Sequence, residues 1–178
     1  MQKVVILGST GSIGKSSLEV IEKNKDKHEI ACLVAFSNED LIKAQAKRHK
    51  KSKIYIEKPR KKFSNKRFIK KNDLLKLISS KDVDTVIAAI SGSDGLELIL
   101  HSILSGKKVL IANKEPLVMA GEFIVNQAKK HGAQIIPIDS EHCSIHQSIQ
   151  GKKENSISKI TLTCSGGPFY NLPKSDFK

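Results

Sequence analysis

Apolar, β-branched runs alternate with helix-spaced segments along most of this chain, and that alternation constrains the fold more than any other feature. "KVVILG" reads as a buried strand, and "GKSSLEVIEKNK" behind it carries Leu18, Val20 and Ile21 at helical spacing. The pattern then repeats. "EIACLVAFS" precedes "NEDLIKAQAKRHK", with Ser37 or Asn38 as the helix cap, and "KIYIE" precedes a basic loop and "KNDLLKLISS". "VDTVIAAI" leads into "GLELILHSILSGK", "KVLIAN" into "PLVMAGEFIVNQAKKHG", and "AQIIPID" closes the series. Proline near the start of the fifth helix and Gly132 past its end mark its limits. Strands alternating with helices predict right-handed parallel crossovers and a doubly wound, mostly parallel sheet with helices on both faces, an α/β Rossmann-like fold. This domain is expected over residues 1–138. After it the rhythm changes: "EHCSIHQSIQG" suggests a short helix, "ISKITLT" a strand and "CSGGPFYNLP" a glycine-rich loop. Residues 139–178 are therefore expected to be the truncated start of a second domain.

"GSTGSIG", Gly8 to Gly14, falls between the first strand and the first helix. Its spacing is GxxGxxG rather than GxGxxG, but the physical logic is shared. Glycines let the backbone turn tightly, and the N–H groups of the helix start face a pyrophosphate. Ser9, Thr10 and Ser12 add hydroxyl donors. Such a turn also serves plain strand-to-helix connections; its position argues for a dinucleotide. At the end of the second strand an acid would bond a free ribose 2′-hydroxyl and repel a 2′-phosphate. Here the strand ends "AFSN", with Ser37 and Asn38 as donors and no acid before Glu39, which favours NADPH over NADH.

Charge is the feature that most invites a different reading. Residues 43–71 carry 14 Lys or Arg against the single acid Glu57, which is the whole net charge of +13. A nucleic-acid surface would interleave arginines with exposed aromatics. Lysine dominates here, and Tyr55, Phe63 and Phe68 have the look of core anchors, so the segment reads as a solvated face with no nucleic-acid partner. No apolar run is long enough to cross a bilayer, so no membrane association is expected. The first strand begins at Lys3, leaving no room for a leader, and three cysteines without CxxC spacing argue against a disulfide framework. A reducing, cytoplasmic setting is expected.

Ligands of an open parallel sheet gather at the carboxyl ends of its strands. Three polar clusters fall at such ends: the glycine loop, "NKE" (Asn113, Lys114, Glu115) after strand five, and "DSEH" after strand six. Asn113 could equally cap one helix, and Asp139 or Ser140 the next. Asp139, Glu141 and His142 could hold a metal, move protons or merely open a helix. A zinc site from His142, Cys143 and His146 lacks a second cluster to complete it.

In this order, "GSTGSIG", "ANKE", "DSEH" and "SGGPF" resemble the N-terminal part of the 1-deoxy-D-xylulose 5-phosphate reductoisomerase family, over the whole chain. The resemblance implies an NADPH-binding domain leading into a metal-dependent catalytic domain, usually in a homodimer. It implies conversion of 1-deoxy-D-xylulose 5-phosphate, a small phosphorylated sugar, to 2-C-methyl-D-erythritol 4-phosphate in isoprenoid precursor synthesis, with this chain an incomplete fragment and inactive alone. By the same resemblance Asp139 and Glu141 are ligands of Mg²⁺ or Mn²⁺, and Lys114 and Glu141 serve catalysis. Lys114, Ser140, Glu141 and Ser165 match substrate-binding positions. Thr10, Gly11, Ser12, Ile13, Asn38, Asn113 and Glu115 match cofactor positions. A stand-alone dinucleotide-binding module without turnover is the alternative. The family's second-strand turn often reads A-G-x-N with a basic residue at x, where this chain has Phe36 and Ser37. His146 and Tyr170 also depart from the usual aromatic and arginine.

Overall fold

A computed structural model of the protein describes residues 1–61, 63–153, 156–162 and 171–176. They fall into two compact units, Met1–Asp139 and Ser140–Lys178.

The first unit is built on six strands: β1 (Gln2–Leu7), β2 (His28–Ala35), β3 (Lys53–Ile56), β4 (Thr85–Ala88), β5 (Lys108–Ile111) and β6 (Gln134–Pro137). All neighbours are parallel, in the order β3-β2-β1-β4-β5-β6. Between them run α1 (Ser12–Lys23), α2 (Glu39–Arg48), α3 (Lys71–Ser79), α4 (Leu96–Leu104) and α5 (Glu115–His131). Successive strand residues point to opposite faces, which makes every strand apolar on both. Val5 and Leu7 of β1 join Leu74 and Ile78 of α3, Ile99 and Ile103 of α4 and Ile124 of α5 in one cluster. Val4 and Ile6 join Leu18 and Ile21 of α1 and Ile42 and Ala46 of α2 in the other. Each fully buried Leu, Ile or Val side chain contributes about 1.5–3 kcal/mol, so this two-sided burial is what holds the unit together.

Local chemistry sets the element ends. Asn38 caps α2 by accepting from the Leu41 N–H at 3.2 Å, and Glu39 and Asp40 occupy the first turn, where they suit the helix dipole. Gly132 ends α5 at φ 66°, a left-handed conformation that disfavours side chains. Two details depart from the regular helices read in the sequence. A single 3₁₀ turn, Ser93–Gly95, precedes α4, and α5 is broken at Ala120, whose φ of −147° is not helical.

The chain leaves β1 outward to β2 and β3 and returns to β4 on the other side of β1. The carboxyl ends of β1 and β4 therefore flank the switch point of the sheet, where a crevice opens.

The basic segment packs from within. Phe63 and Phe68 stack at 4.0 Å between centroids against the α1/α2 cluster. Arg67 donates to the carbonyls of Ala46, His49 and Ser52, tying β3 to the end of α2.

The second unit contains α6 (Ser140–Ile149) and a 3₁₀ turn, Lys174–Asp176. The strand expected from "ISKITLT" does not form over residues 157–162; Thr163 lies outside the described residues. A strand needs a neighbour for its N–H and C=O groups, and the described residues of this unit include none. Ile160 and Leu162 are correspondingly more than half exposed, at 54% and 52%.

Candidate functional site

A crevice of about 960 Å³ opens at the carboxyl ends of β1 to β4, lined by Gly8, Thr10 and Gly11, by Phe36, by Glu57 and Lys58, and by Ser91, Ser93 and Asp94. The three glycines of the loop earn their places differently. A Cβ on Gly8, where φ is +83°, would lie 2.3 Å from the Ala89 carbonyl oxygen, and one on Gly14 would lie 2.2 Å from the Gly8 carbonyl oxygen. Both distances are inside van der Waals contact, so these two glycines are demanded by the fold itself. Gly11 is not. Its φ is −76°, and a Cβ there would meet protein no closer than 3.4 Å. Gly11 is exposed and lines the crevice, so its missing side chain leaves room for something outside the protein.

That place is also the start of α1. Gly11 is the N-cap residue, with no side-chain cap and no acid in the first turn. The first amide N–H groups of a helix lack partners inside it, so α1 presents Ser12 and Ile13 as an uncapped, partly positive end. Both are exposed, and Thr10 and Gly11 line the crevice. Ser9 differs from its sequence reading as a phosphate donor. It is fully buried, its hydroxyl donates to Gln45 Oε1 at 2.8 Å, and Gln45 Nε2 donates back to the Ser9 carbonyl at 2.8 Å. Gln45, 1% exposed on α2, thus pins the glycine loop. Sequence reasoning passed over it, although a polar residue between Ile42 and Ala46 on an apolar helix face was a signal.

The walls hold charged groups that the motifs did not reveal. Lys71 and Glu97 pair at 2.6 Å, and that hydrogen bond holds the Lys71 ammonium above the ordinary lysine range. Tyr55 donates to Glu57; burial first, and then this bond, push its phenol well up, so it stays protonated. Glu39, the first acid after β2, is only 3% exposed. Its Oε2 accepts from Lys43 Nζ at 2.9 Å and its Oε1 from the Arg60 amide, so both oxygens are committed within the protein. Chiefly through the Lys43 bond, its carboxyl sits below the usual range. Asn38 is exposed, and its Oδ1 is committed to the cap of α2.

Asn113 follows β5 on the same sheet edge. It is no helix cap: its Nδ2 donates to the Gly92 carbonyl at 3.2 Å, and its buried Oδ1 has no partner among the described residues. A buried acceptor left unpaired costs about 1–3 kcal/mol, which an incoming donor would offset. Lys114, at the N-cap of α5, and Glu115, in its first turn, are exposed. Asp139 ends the first unit, while Ser140 and Glu141 open α6 of the second. Ser165 lies outside the described residues. Among the described residues no group of three His, Cys, Asp or Glu is assembled for a metal. Carboxylate oxygens are nevertheless the donor type that hard divalent cations take. His142 and His146 stand on α6 with Cys143, whose sulfur accepts from Gln147 Nε2 at 3.0 Å.

Comparison with known proteins agrees with this architecture. Residues 4–121 match the family model described as 1-deoxy-D-xylulose 5-phosphate reductoisomerase, and residues 135–178 match the model of that enzyme's C-terminal domain. The reductoisomerase of Thermodesulfovibrio yellowstonii is 44% identical over 176 residues, covering 95% of this chain and 46% of the relative. The solved reductoisomerase of Zymomonas mobilis in complex with NADPH superposes with a TM-score of 0.79 at 32% identity, over 97% of this chain and 48% of that one. A reductoisomerase solved with NADPH, fosmidomycin and magnesium gives 0.73 at 36% identity, over 85% and 41%. The chain spans about half the length of the curated relatives it matches. With both family models matched in order and the switch-point crevice in place, the chain belongs to the 1-deoxy-D-xylulose 5-phosphate reductoisomerase family.

Proposed function

We propose that residues 1–138 form the NADPH-binding domain, and residues 139–178 the beginning of the catalytic domain, of an enzyme converting 1-deoxy-D-xylulose 5-phosphate to 2-C-methyl-D-erythritol 4-phosphate. The observation that carries this reading is Gly11, a glycine the fold does not need, set on the crevice beside the uncapped start of α1. The pyrophosphate of the cofactor would approach the backbone at Gly11, whose own amide is spent on the Gly8 carbonyl at 3.0 Å, and would take hydrogen bonds from the amides of Ser12 and Ile13 and from Thr10. Asn38 would serve the adenosine end. Asn113 and Glu115, after β5, would orient the nicotinamide end, where Asn113 Oδ1, unpaired among the described residues, would accept a donor.

Asp139 and Glu141 would supply two oxygen ligands to Mg²⁺ or Mn²⁺, with further donors from elsewhere in the complete protein. When bound, the metal polarises the ketone of the substrate as a Lewis acid, and NADPH supplies the hydride that reduces the rearranged skeleton. Lys114 would place its positive charge against oxygens that become negative during the reaction, and Ser140 and Ser165 would hold substrate hydroxyl or phosphate oxygens. Two supporting expectations carry over from the family: a homodimer and a cytoplasmic location. No helix among the described residues is long and apolar enough to cross a membrane.

Fluorescence titration of this chain with NADPH, and turnover assays of a full-length protein carrying it, test the reading. Saturable NADPH binding with turnover at full length is expected. Binding without turnover at full length would leave a stand-alone binding module, and a folded chain that ignores NADPH would refute the reading altogether.

A further inference from the structure

Among the described residues, one lysine on the crevice wall has no carboxylate partner. Two lysines line the crevice, Lys58 and Lys71, and Lys71 is paired with Glu97 at 2.6 Å. Lys58 forms no ion pair among the described residues; its ammonium stands 4.9 Å from the centre of the Phe36 ring. Its neighbour Glu57 already accepts from Tyr55.

The position of Lys58 is set by backbone. As the chain leaves β3, the Glu57 amide donates to the Ala35 carbonyl at 3.0 Å and the Lys58 amide to the Phe36 carbonyl at 2.7 Å. One turn further, the Arg60 amide donates to the buried Glu39 carboxylate. The exit of β3 is therefore held along the exit of β2. In dinucleotide-binding folds the end of the second strand is where the adenosine ribose is read: an acid there selects the free 2′-hydroxyl, and a nearby cation accommodates a 2′-phosphate. The residue that would play the acid, Glu39, is turned to another use, since Lys43 and the Arg60 amide occupy both its oxygens. The turn itself, Phe36-Ser37-Asn38, brings no charge.

We propose that Lys58 is the residue that recognises the 2′-phosphate of NADPH, so that specificity for the phosphorylated cofactor comes from the exit of β3 rather than from the β2 turn. Phe36, 45% exposed, faces the Lys58 ammonium with its ring and would give the adenine a flat apolar neighbour. Arg60 stands two residues on, but its guanidinium is 3.6 Å from Asp40, so it contributes less. The proposal rests on the reading of the crevice as the NADPH site. It also gives one member of the basic segment a task that a merely solvated lysine face would not have.

The test is titration of the chain with NADPH and with NADH, for the parent, Lys58→Met, Arg60→Ala and Lys51→Ala. Lys51 precedes β3, at the opposite end of the strand, and reports any diffuse effect of positive charge. Lys58→Met should weaken NADPH by at least about tenfold, the worth of one charge-assisted bond of about 1.4 kcal/mol, and leave NADH unchanged. Arg60→Ala should cost less, and Lys51→Ala nothing at matched ionic strength. Thermal melting of each variant shows whether it folds. Equal losses for both cofactors, an unchanged NADPH affinity, or an equal effect from Lys51→Ala would each overturn the proposal while leaving the crevice as a dinucleotide site. A folded parent that binds neither cofactor would overturn both.

Discussion

Replacing Gln45 with methionine tests whether the glycine loop is held from α2. Methionine matches the volume of glutamine closely, so the substitution opens little cavity and removes mainly the hydrogen bonds. Two are lost, each 2.8 Å long: Ser9 Oγ to Gln45 Oε1, and Gln45 Nε2 to the Ser9 carbonyl. Ser9 is 0% exposed, so water cannot take over either group. Two buried groups are orphaned at about 1–3 kcal/mol each, and partial relaxation of the hydroxyl puts the expected loss near 3 kcal/mol. Ser9→Ala orphans only Gln45 Oε1, because the bond to the residue 9 carbonyl survives, and should lose about 1–2 kcal/mol. The double variant leaves one orphan, the residue 9 carbonyl. It should therefore be more stable than Gln45→Met alone, by about 1 kcal/mol or more. Urea unfolding followed by circular dichroism measures all three, and NADPH titration of Gln45→Met should show at least about a tenfold loss as the loop frays. A Gln45→Met protein within about 0.5 kcal/mol of the parent, or a double variant whose loss equals the sum of the singles, would refute the latch.

The two kinds of glycine should separate. Gly14→Ala places a Cβ 2.2 Å from backbone and should lower stability by about 3 kcal/mol or more in the same unfolding assay, whereas Gly11→Ala should melt normally yet lose NADPH affinity. Glu39 should make stability depend on acid. Its folded pKa lies below the ordinary 4.5, so its contribution is complete above that pH and disappears as pH falls through the folded value. Urea midpoints compared between pH 6 and pH 3 should fall less in Glu39→Gln than in the parent. In the full-length protein, Asp139→Asn should abolish turnover and weaken Mn²⁺ binding while leaving NADPH affinity nearly unchanged. Asparagine caps a helix as well as aspartate does, so a fully active, normally metallated Asp139→Asn would show that Asp139 is only a cap.

Much of the first unit was legible because short-range physics wrote it. A strand buried on both faces must be largely apolar, as "VVIL" and "VIA" are, and a helix on a sheet must repeat its apolar residues every three or four positions, as Leu74 and Ile78 do. The glycine loop was legible for a similar reason, since a tight turn into a helix start admits few residues. The strand expected over residues 157–163 fared otherwise over its described part, because an apolar pattern specifies a strand only where a neighbour accepts its hydrogen bonds. The sequence by itself thus determined the class of fold, the sheet edge on which the motifs gather and the residues that resemble a known family. Only the tertiary structure decided that β1 lies between β2 and β4, that Gly8 and Gly14 serve the fold while Gly11 faces the crevice, and that Ser9 is locked to Gln45, 36 residues away. It also decided that Glu39 is spent inside the protein and that Lys58 stands beside Phe36 with no ion pair among the described residues. The physical reason is common to all of these. Each depends on which atoms come within about 3–5 Å across long stretches of chain, and hydrogen bonds and packing contacts act only over such short distances.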